Sequence, residues 1–161
     1  MKYNLLYIVV VAAAAACNTP SSKQALTDLV TARFEQMNRH DSNAVAAFFA
    51  DTARISSPNW EGVKTGPAGA REVYGRYFTG SPDIHYTITR LTVADSAAVV
   101  EYISTATFSQ PEKGTPEYMR GKKYTLFQCT RMNIHDGKIT SDATYFDQVS
   151  FLRQVGFFEQ H

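Results

Sequence analysis

The hydrophobic period of this chain changes once, near Pro82, and that change limits the fold more than any other feature. Before Pro82 the apolar residues recur at helical spacing: Leu26, Leu29, Val30, Phe34 and Met37 predict a helix over residues 22–39, with Ser21 or Ser22 available to cap it. His40 and Asp41 interrupt it, and Val45, Phe48 and Phe49 share one face of a shorter helix that starts near Ser42, with Asp41 as its cap. Residues 52–57 read as a strand, and the segment around Pro58, Asn59, Trp60 and Gly62 reads as a loop. Gly66-Pro67 opens a third helix carrying Val73, Tyr74, Tyr77 and Phe78, which stops near Gly80-Ser81-Pro82.

Beyond Pro82 the period becomes two, with Ile84, Tyr86 and Ile88 alternating with His85, Thr87 and Thr89. Residues 98–109 form a second strand with apolar side chains on both faces. Residues 110–117 hold two prolines and a glycine and make a surface loop. Residues 118–135 and 139–147 are the last two strands, joined by the hairpin signal Asp136-Gly137, and residues 148–156 close the domain. Three helices followed by long antiparallel strands describe an α+β domain in which helices cover one face of a curved sheet and enclose a cone-shaped pocket.

The N-terminus carries a separate message. Lys2 supplies a positive start, residues 5–11 are apolar, and Ala12 to Ala16 are the small residues a signal peptidase requires. The apolar stretch is shorter than the roughly 20 residues that span a bilayer. Ala14-Ala15-Ala16-Cys17 resembles the lipobox of bacterial lipoproteins, although Ala14 stands where that motif usually has Leu. The resemblance implies a signal peptide over 1–16, a lipid such as palmitate on Cys17, a polar tether over 17–22, and a domain anchored to a membrane in the bacterial cell envelope.

Removing residues 1–16 from 161 leaves 145, the size of one domain with one full core. With Cys17 acylated, Cys129 is the one remaining thiol, so no internal disulfide can form. The mature chain balances its acidic and basic residues, and no basic run or basic amphipathic helix follows Cys17. Nucleic acid is therefore not an expected partner, and membrane contact is expected through the lipid alone.

Several blocks resemble the SnoaL-like branch of the nuclear transport factor 2-like superfamily. They are Asn38-Arg39-His40-Asp41 before Ala44 to Phe49 and Asp51, Gly66 at the third helix, Asp136-Gly137-Lys138-Ile139, Tyr145-Phe146-Asp147, and Phe151 to Gly156. The likeness covers nearly all of residues 22–157, which places the SnoaL-like domain at 23–157 and leaves 158–161 as a tail. It implies the cone-shaped fold more firmly than a reaction, since the superfamily hosts cyclases, isomerases, dehydratases, hydrolases and pure binders. Relatives often dimerise through the outer sheet face, and the resemblance allows a homodimer here.

A two-residue turn at Asp136-Gly137 sets a cross-strand register in which Arg131 faces Asp142, Gln128 faces Tyr145 and Leu126 faces Asp147, and a bulge would shift it by one. Alternation then puts Tyr145, Asp147, Gln128, Leu126 and Met132 on the pocket face, and an Arg131–Asp142 pair on the outer face. In SnoaL-like cyclases an Asp at this place acts as general acid/base, and Asp147 matches it. A carboxylate in an apolar cavity has its pKa raised toward values useful for proton transfer. The competing role for Asp147 is to cap the helical turn that begins near Gln148. Tyr145 and Gln128 are candidate donors to a ligand oxygen, and Trp60, Tyr74 and Tyr77 candidate aromatic walls, with core packing the alternative for the two tyrosines.

His40 beside Asp41 is explained by helix capping without chemistry. No set of histidines and carboxylates has metal-ligand spacing. Cys129 faces away from the pocket by the same parity and reads as an inert thiol. No phosphate-binding glycine loop or nucleophile elbow is present, and no cofactor is expected. Two functions from different classes remain. One is an envelope-anchored domain that binds a small apolar molecule and carries out isomerase-, cyclase- or hydrolase-type acid/base chemistry at Asp147. The other is a binding or protein-interaction domain without turnover.

Overall fold

The computed structural model describes residues 22–110 and 113–159; the signal segment, Cys17 and most of the tether lie outside them. Helix α1 (Ser22–Asn38) comes first, and its buried stripe is Leu26, Val30, Phe34 and Met37, as its spacing predicts. It ends where His40 adopts φ 56°, with the His40 N–H on the Met37 carbonyl at 3.1 Å and the Asp41 N–H on the Gln36 carbonyl at 3.2 Å. This left-handed stop satisfies the last carbonyls of α1. Asp41 then caps α2 (Ser42–Ala46), its Oδ1 accepting from the N–H groups of Asn43 and Ala44 at 3.0 and 2.9 Å. The His40-Asp41 pair is thus a helix junction.

Strand β1 (Phe49–Ser56) and the two-residue β2 (Lys64–Thr65) precede α3 (Gly66–Gly80). Then come β3 (His85–Ala94), β4 (Ala97–Thr107), a 3-10 turn at Glu117–Met119, β5 (Lys123–His135), β6 (Lys138–Phe146) and α4 (Gln148–Gln154). The six strands form one curved sheet in the order β2-β1-β6-β5-β4-β3. The pairs from β3 to β6 are antiparallel, as the alternation predicts, but β1 joins β6 in parallel, so the sheet is mixed. The pairing follows from connectivity: β1 and β6 are far apart in sequence, so no hairpin constrains their direction. Leu26, Val30, Phe34 and Met37 of α1 and Val73, Tyr74 and Phe78 of α3 pack on Val100, Tyr102, Met132 and Ile134 of the sheet to form a single core. The other face of the sheet holds Phe127, which is 75% exposed.

Asp136 and Gly137 take φ values of 48° and 69°, the left-handed pair that a two-residue hairpin requires. The register beyond that turn departs from the simple one. His135 faces Lys138 and Ile134 faces Ile139, but Asn133 then faces Ser141, which leaves Thr140 as an extra residue. This β-bulge moves every later residue of β6 by one place, so Arg131 faces Ala143, Met132 faces Asp142 and Gln128 faces Phe146. All side chains of β6 beyond Thr140 therefore exchange faces relative to the register read from sequence.

Gly66 begins α3 at φ 63°, and a Cβ at this position would collide with the backbone oxygen of Asp51. Neither strain nor collision can be relieved by a side-chain movement. Gly66→Ala should lower stability by more than about 2 kcal/mol, seen as a shifted denaturant midpoint at unchanged slope.

Candidate functional site

The concave face of the sheet and the inner faces of α1 and α3 enclose a cavity of about 350 Å³. This lies near the lower end of the ~300–1,000 Å³ typical of small-molecule sites. Its walls are largely aromatic, with Trp60 from the β1–β2 loop, tyrosines from α3, β3, β4 and β5, and Phe108, Phe146 and Phe151. Its polar groups include Asp142, Thr144, Gln128, Ser104 and Ser81.

One corner is built around Arg33. Arginine on the buried stripe of α1, between Val30 and Phe34, must find a partner, and Arg33 is 1% exposed. Its Nη2 donates to Asp142 Oδ2 at 2.7 Å and also to the Tyr74 hydroxyl, while Nη1 lies 3.4 Å from the sulfur of Met132. The guanidinium also faces the rings of Phe34, Phe49 and Tyr74, with its carbon 5.4–5.7 Å from their centroids. Its Nε has no hydrogen-bond partner among the described residues. From Asp142 a line of hydroxyls crosses the sheet. Thr144 Oγ1 is 3.5 Å from Asp142 Oδ1, Thr130 Oγ1 is 2.8 Å from that of Thr144, and the Tyr102 hydroxyl is 3.2 Å from that of Thr130.

Burial raises the Asp142 carboxyl above its ordinary pKa, and the Arg33 guanidinium and the Thr144 hydroxyl hold that rise in check. Burial is also the largest influence on Arg33 and opposes its charge, but Tyr74, Asp142 and Tyr102 together outweigh it, so its pKa ends above the ordinary value. Burial pushes the Tyr74 phenol well above its ordinary value against the pull of Arg33, so it stays protonated at neutral pH. Because Tyr74 accepts from Arg33, its own proton remains available to a nearby acceptor. Tyr74 and Asp142 both line the cavity and share one nitrogen of Arg33. A hydrogen-bond donor and a carboxylate therefore stand side by side at the same wall.

Five of the residues expected in the pocket are there: Gln128, Leu126, Trp60, Tyr74 and Tyr77. Gln128 donates to Ser104 Oγ at 2.9 Å, and the Tyr77 hydroxyl accepts from Asn59 at 2.8 Å. The Trp60 Nε1 is buried without a hydrogen-bond partner among the described residues. Met132 is fully buried behind the wall, against Arg33, and does not line the cavity. Tyr145 and Asp147 are elsewhere, and the Thr140 bulge is the reason. Tyr145 is 57% exposed on the outer face, near Phe127 and Cys129. Asp147 is exposed at the start of α4, where its Oδ1 accepts from the Ser150 N–H at 3.0 Å. The capping alternative describes its place, and the carboxylate inside the cavity is Asp142.

The expected Arg131–Asp142 surface pair is likewise replaced by the buried Arg33–Asp142 pair, with Arg131 exposed opposite Ala143. Arg33 could have been found in the sequence, since a charge at the centre of an apolar helical stripe demands a buried counter-charge. Among the described residues, no three His, Cys, Asp or Glu side chains cluster as a metal site would require.

A cone of this kind, helices over the concave side of a mixed sheet with a cavity between, defines the nuclear transport factor 2-like class. The model of the SnoaL-like domain matches residues 30–142, and the chain belongs to that family. Among solved structures, the chain is similar to a putative polyketide cyclase from Xanthomonas campestris pv. campestris. The two are 24% identical with a TM-score of 0.71, covering 84% of this chain and 99% of the other. A putative SnoaL-like polyketide cyclase from Jannaschia sp. CCS1 is 18% identical, with a TM-score of 0.73 and coverage of 86% and 96%. A protein of ketosteroid isomerase-like fold from Catenulispora acidiphila, solved with trimethylamine, is 22% identical, with a TM-score of 0.67 and coverage of 80% and 92%. No protein of curated function matches the sequence significantly.

The Arg33–Asp142 pair leads to two measurable outcomes. Arg33→Met strands the buried carboxyl without its counter-charge and should cost about 3–5 kcal/mol, whereas adding Asp142→Leu to it should recover most of that loss. The pH dependence follows from the raised carboxyl. Between the ordinary carboxylate pKa and its higher folded value, the native state holds a proton that the unfolded state has lost. Stability from this group is therefore full below that window and declines as pH rises through it. Chemical denaturation across that range should show wild-type stability falling as pH rises, a slope that Asp142→Asn removes.

Proposed function

We propose that this chain is an envelope-anchored SnoaL-like domain that binds a small, largely apolar molecule and performs acid/base chemistry, of isomerase, cyclase or hydrolase type, on it. The chemistry is assigned to Asp142 in place of Asp147. The observation that carries the reading is the pairing of Tyr74 and Asp142 on one nitrogen of Arg33 at the cavity wall. Asp142 takes a proton from ligand carbon or water, the protonated Tyr74 donates to the ligand oxygen where negative charge develops, and Arg33 positions both. The proposed chemistry is carried by these side chains.

The catalytic step can be tested with nitrobenzisoxazole, a neutral aromatic compound small enough for the cavity. A base removes its ring C–H proton, the released electron pair completes a nitrile, and the N–O bond breaks to give a coloured phenolate. Turnover should saturate for residues 22–161. Tyr74→Phe should slow it by about ten- to a hundredfold. The double variant Arg33→Gln with Asp142→Asn, which removes both buried charges together, should abolish it. Asp147→Asn, altered only at a helix cap outside the cavity, should leave it unchanged. Wild-type turnover from the double variant would dismiss the chemistry.

A lipid on Cys17 remains part of the proposal. Mass spectrometry of full-length protein from a bacterial host should find residues 1–16 removed and an acylated N-terminal Cys, and a Cys17→Ser variant released from the membrane fraction. Self-association is assigned to the outer sheet face, where Phe127 and Tyr145 are exposed. Sedimentation should give a dimer that Phe127→Lys converts to a monomer.

A further inference from the structure

Five tyrosines line the cavity: Tyr74, Tyr77, Tyr86, Tyr102 and Tyr124. Four have a protein partner for the hydroxyl, namely Arg33 for Tyr74, Asn59 for Tyr77, Thr130 for Tyr102 and Ser81 for Tyr124. Tyr86 is the exception. It is 5% exposed, and its hydroxyl makes no hydrogen bond to any of the described residues.

The position of Tyr86 is closely fixed. The Asn38 side chain accepts from the Tyr86 N–H at 2.8 Å and donates to its carbonyl at 2.9 Å, tying the start of β3 to the end of α1. The ring meets Phe34 edge-on at 6.4 Å and packs against Tyr102 at 6.1 Å. Phenylalanine would make these same ring contacts, and the Tyr86 hydroxyl, which the protein does not fully enclose, opens on the cavity. The hydroxyl therefore does nothing for packing. With the Trp60 Nε1, it is a polar group of the cavity that has no partner among the described residues and can meet a ligand.

We infer that Tyr86 is a specificity-determining ligand contact, and that the ligand is a neutral molecule with two oxygen functions, one held at Tyr74 and Asp142 and the other by the Tyr86 hydroxyl. The inference rests on reading the Tyr74–Asp142 corner as a ligand site. Neutrality follows from charge, because the buried Arg33 and Asp142 compensate each other and an ionised ligand group at that corner would meet no surplus opposite charge. A phenol can donate to a carbonyl or accept from a hydroxyl, so either serves as the second function. Flat ring systems suit the aromatic walls.

Trp60 is the one tryptophan of the chain and lines the cavity, so its fluorescence reports occupancy. Two probes are titrated into residues 22–161 at neutral pH: a tetralone, with one ketone, and its analogue with a hydroxyl on the far side of the ring. The wild-type protein should bind the hydroxylated probe about tenfold more tightly, the value of one well-made hydrogen bond. Tyr86→Phe should reduce that preference to within about twofold while leaving tetralone affinity unchanged. Equal binding of both probes by the wild-type protein, or a preference that survives in Tyr86→Phe, overturns the inference and leaves the Tyr74–Asp142 site standing. Failure of both probes to bind the wild-type protein overturns that site and the inference together.

Discussion

The buried ion pair between Arg33 and Asp142 organises this domain. Arg33 projects from the core-facing stripe of α1, Asp142 from the concave side of β6, and their 2.7 Å contact joins two elements far apart in sequence. Desolvating two charges is expensive, and truncating either partner leaves the other uncompensated. The neighbours of the pair reflect this, since Tyr74, Met132 and three aromatic faces all attend the guanidinium. A pure hydrophobic filling would hold α1 to the sheet as well. The pair instead gives the cavity a wall where a carboxylate and a phenol converge, and the proposed chemistry depends on that wall.

The remainder of the cavity is consistent with a site built for a ligand that is mostly carbon. Aromatic rings line it, and most of its hydroxyls are occupied by one another or by backbone and side-chain neighbours. The line from Tyr102 through Thr130 and Thr144 to Asp142 satisfies buried hydroxyls that would otherwise be costly, and it fixes the rotamers around the carboxylate. Against that background of paired hydroxyls, the Tyr86 hydroxyl stands out as having no partner among the described residues. Family membership supplies the cone but no reaction, because the same fold supports different chemistries through the side chains placed inside it. The side chains inside this cone therefore decide what it can do.

The fold was legible in the sequence because its signals are local and periodic. Leu26, Val30, Phe34 and Met37 announce α1, Asp41 announces the cap of α2, and the alternation around Ile84, Tyr86 and Ile88 announces the sheet. The aromatic walls at Trp60, Tyr74 and Tyr77 were also visible. The carboxylate inside the cavity was not. One extra residue at Thr140 inverts the facing of the following strand, which exchanges Asp142 for Asp147 and places Tyr145 outside. Nothing in the composition of Lys138-Ile139-Thr140-Ser141 distinguishes a bulged strand from a regular one. The parallel β1–β6 pairing was hidden for a similar reason, since it joins residues as far apart in sequence as Phe49 and Ile139. Arg33 was the available clue, a charge where the helix pattern allows none without a partner.

The account stands on a ligand oxygen meeting Tyr74 and Asp142 inside the cone. The most direct measurement is a crystal structure of residues 22–161 with a tetralone bound. The account predicts the ketone oxygen within hydrogen-bond distance of the Tyr74 hydroxyl, with the ring between the aromatic walls and its reactive carbon facing Asp142. A ligand seated on the outer face near Tyr145 and Asp147, or inside the cone but turned away from Tyr74 and Asp142, would contradict it.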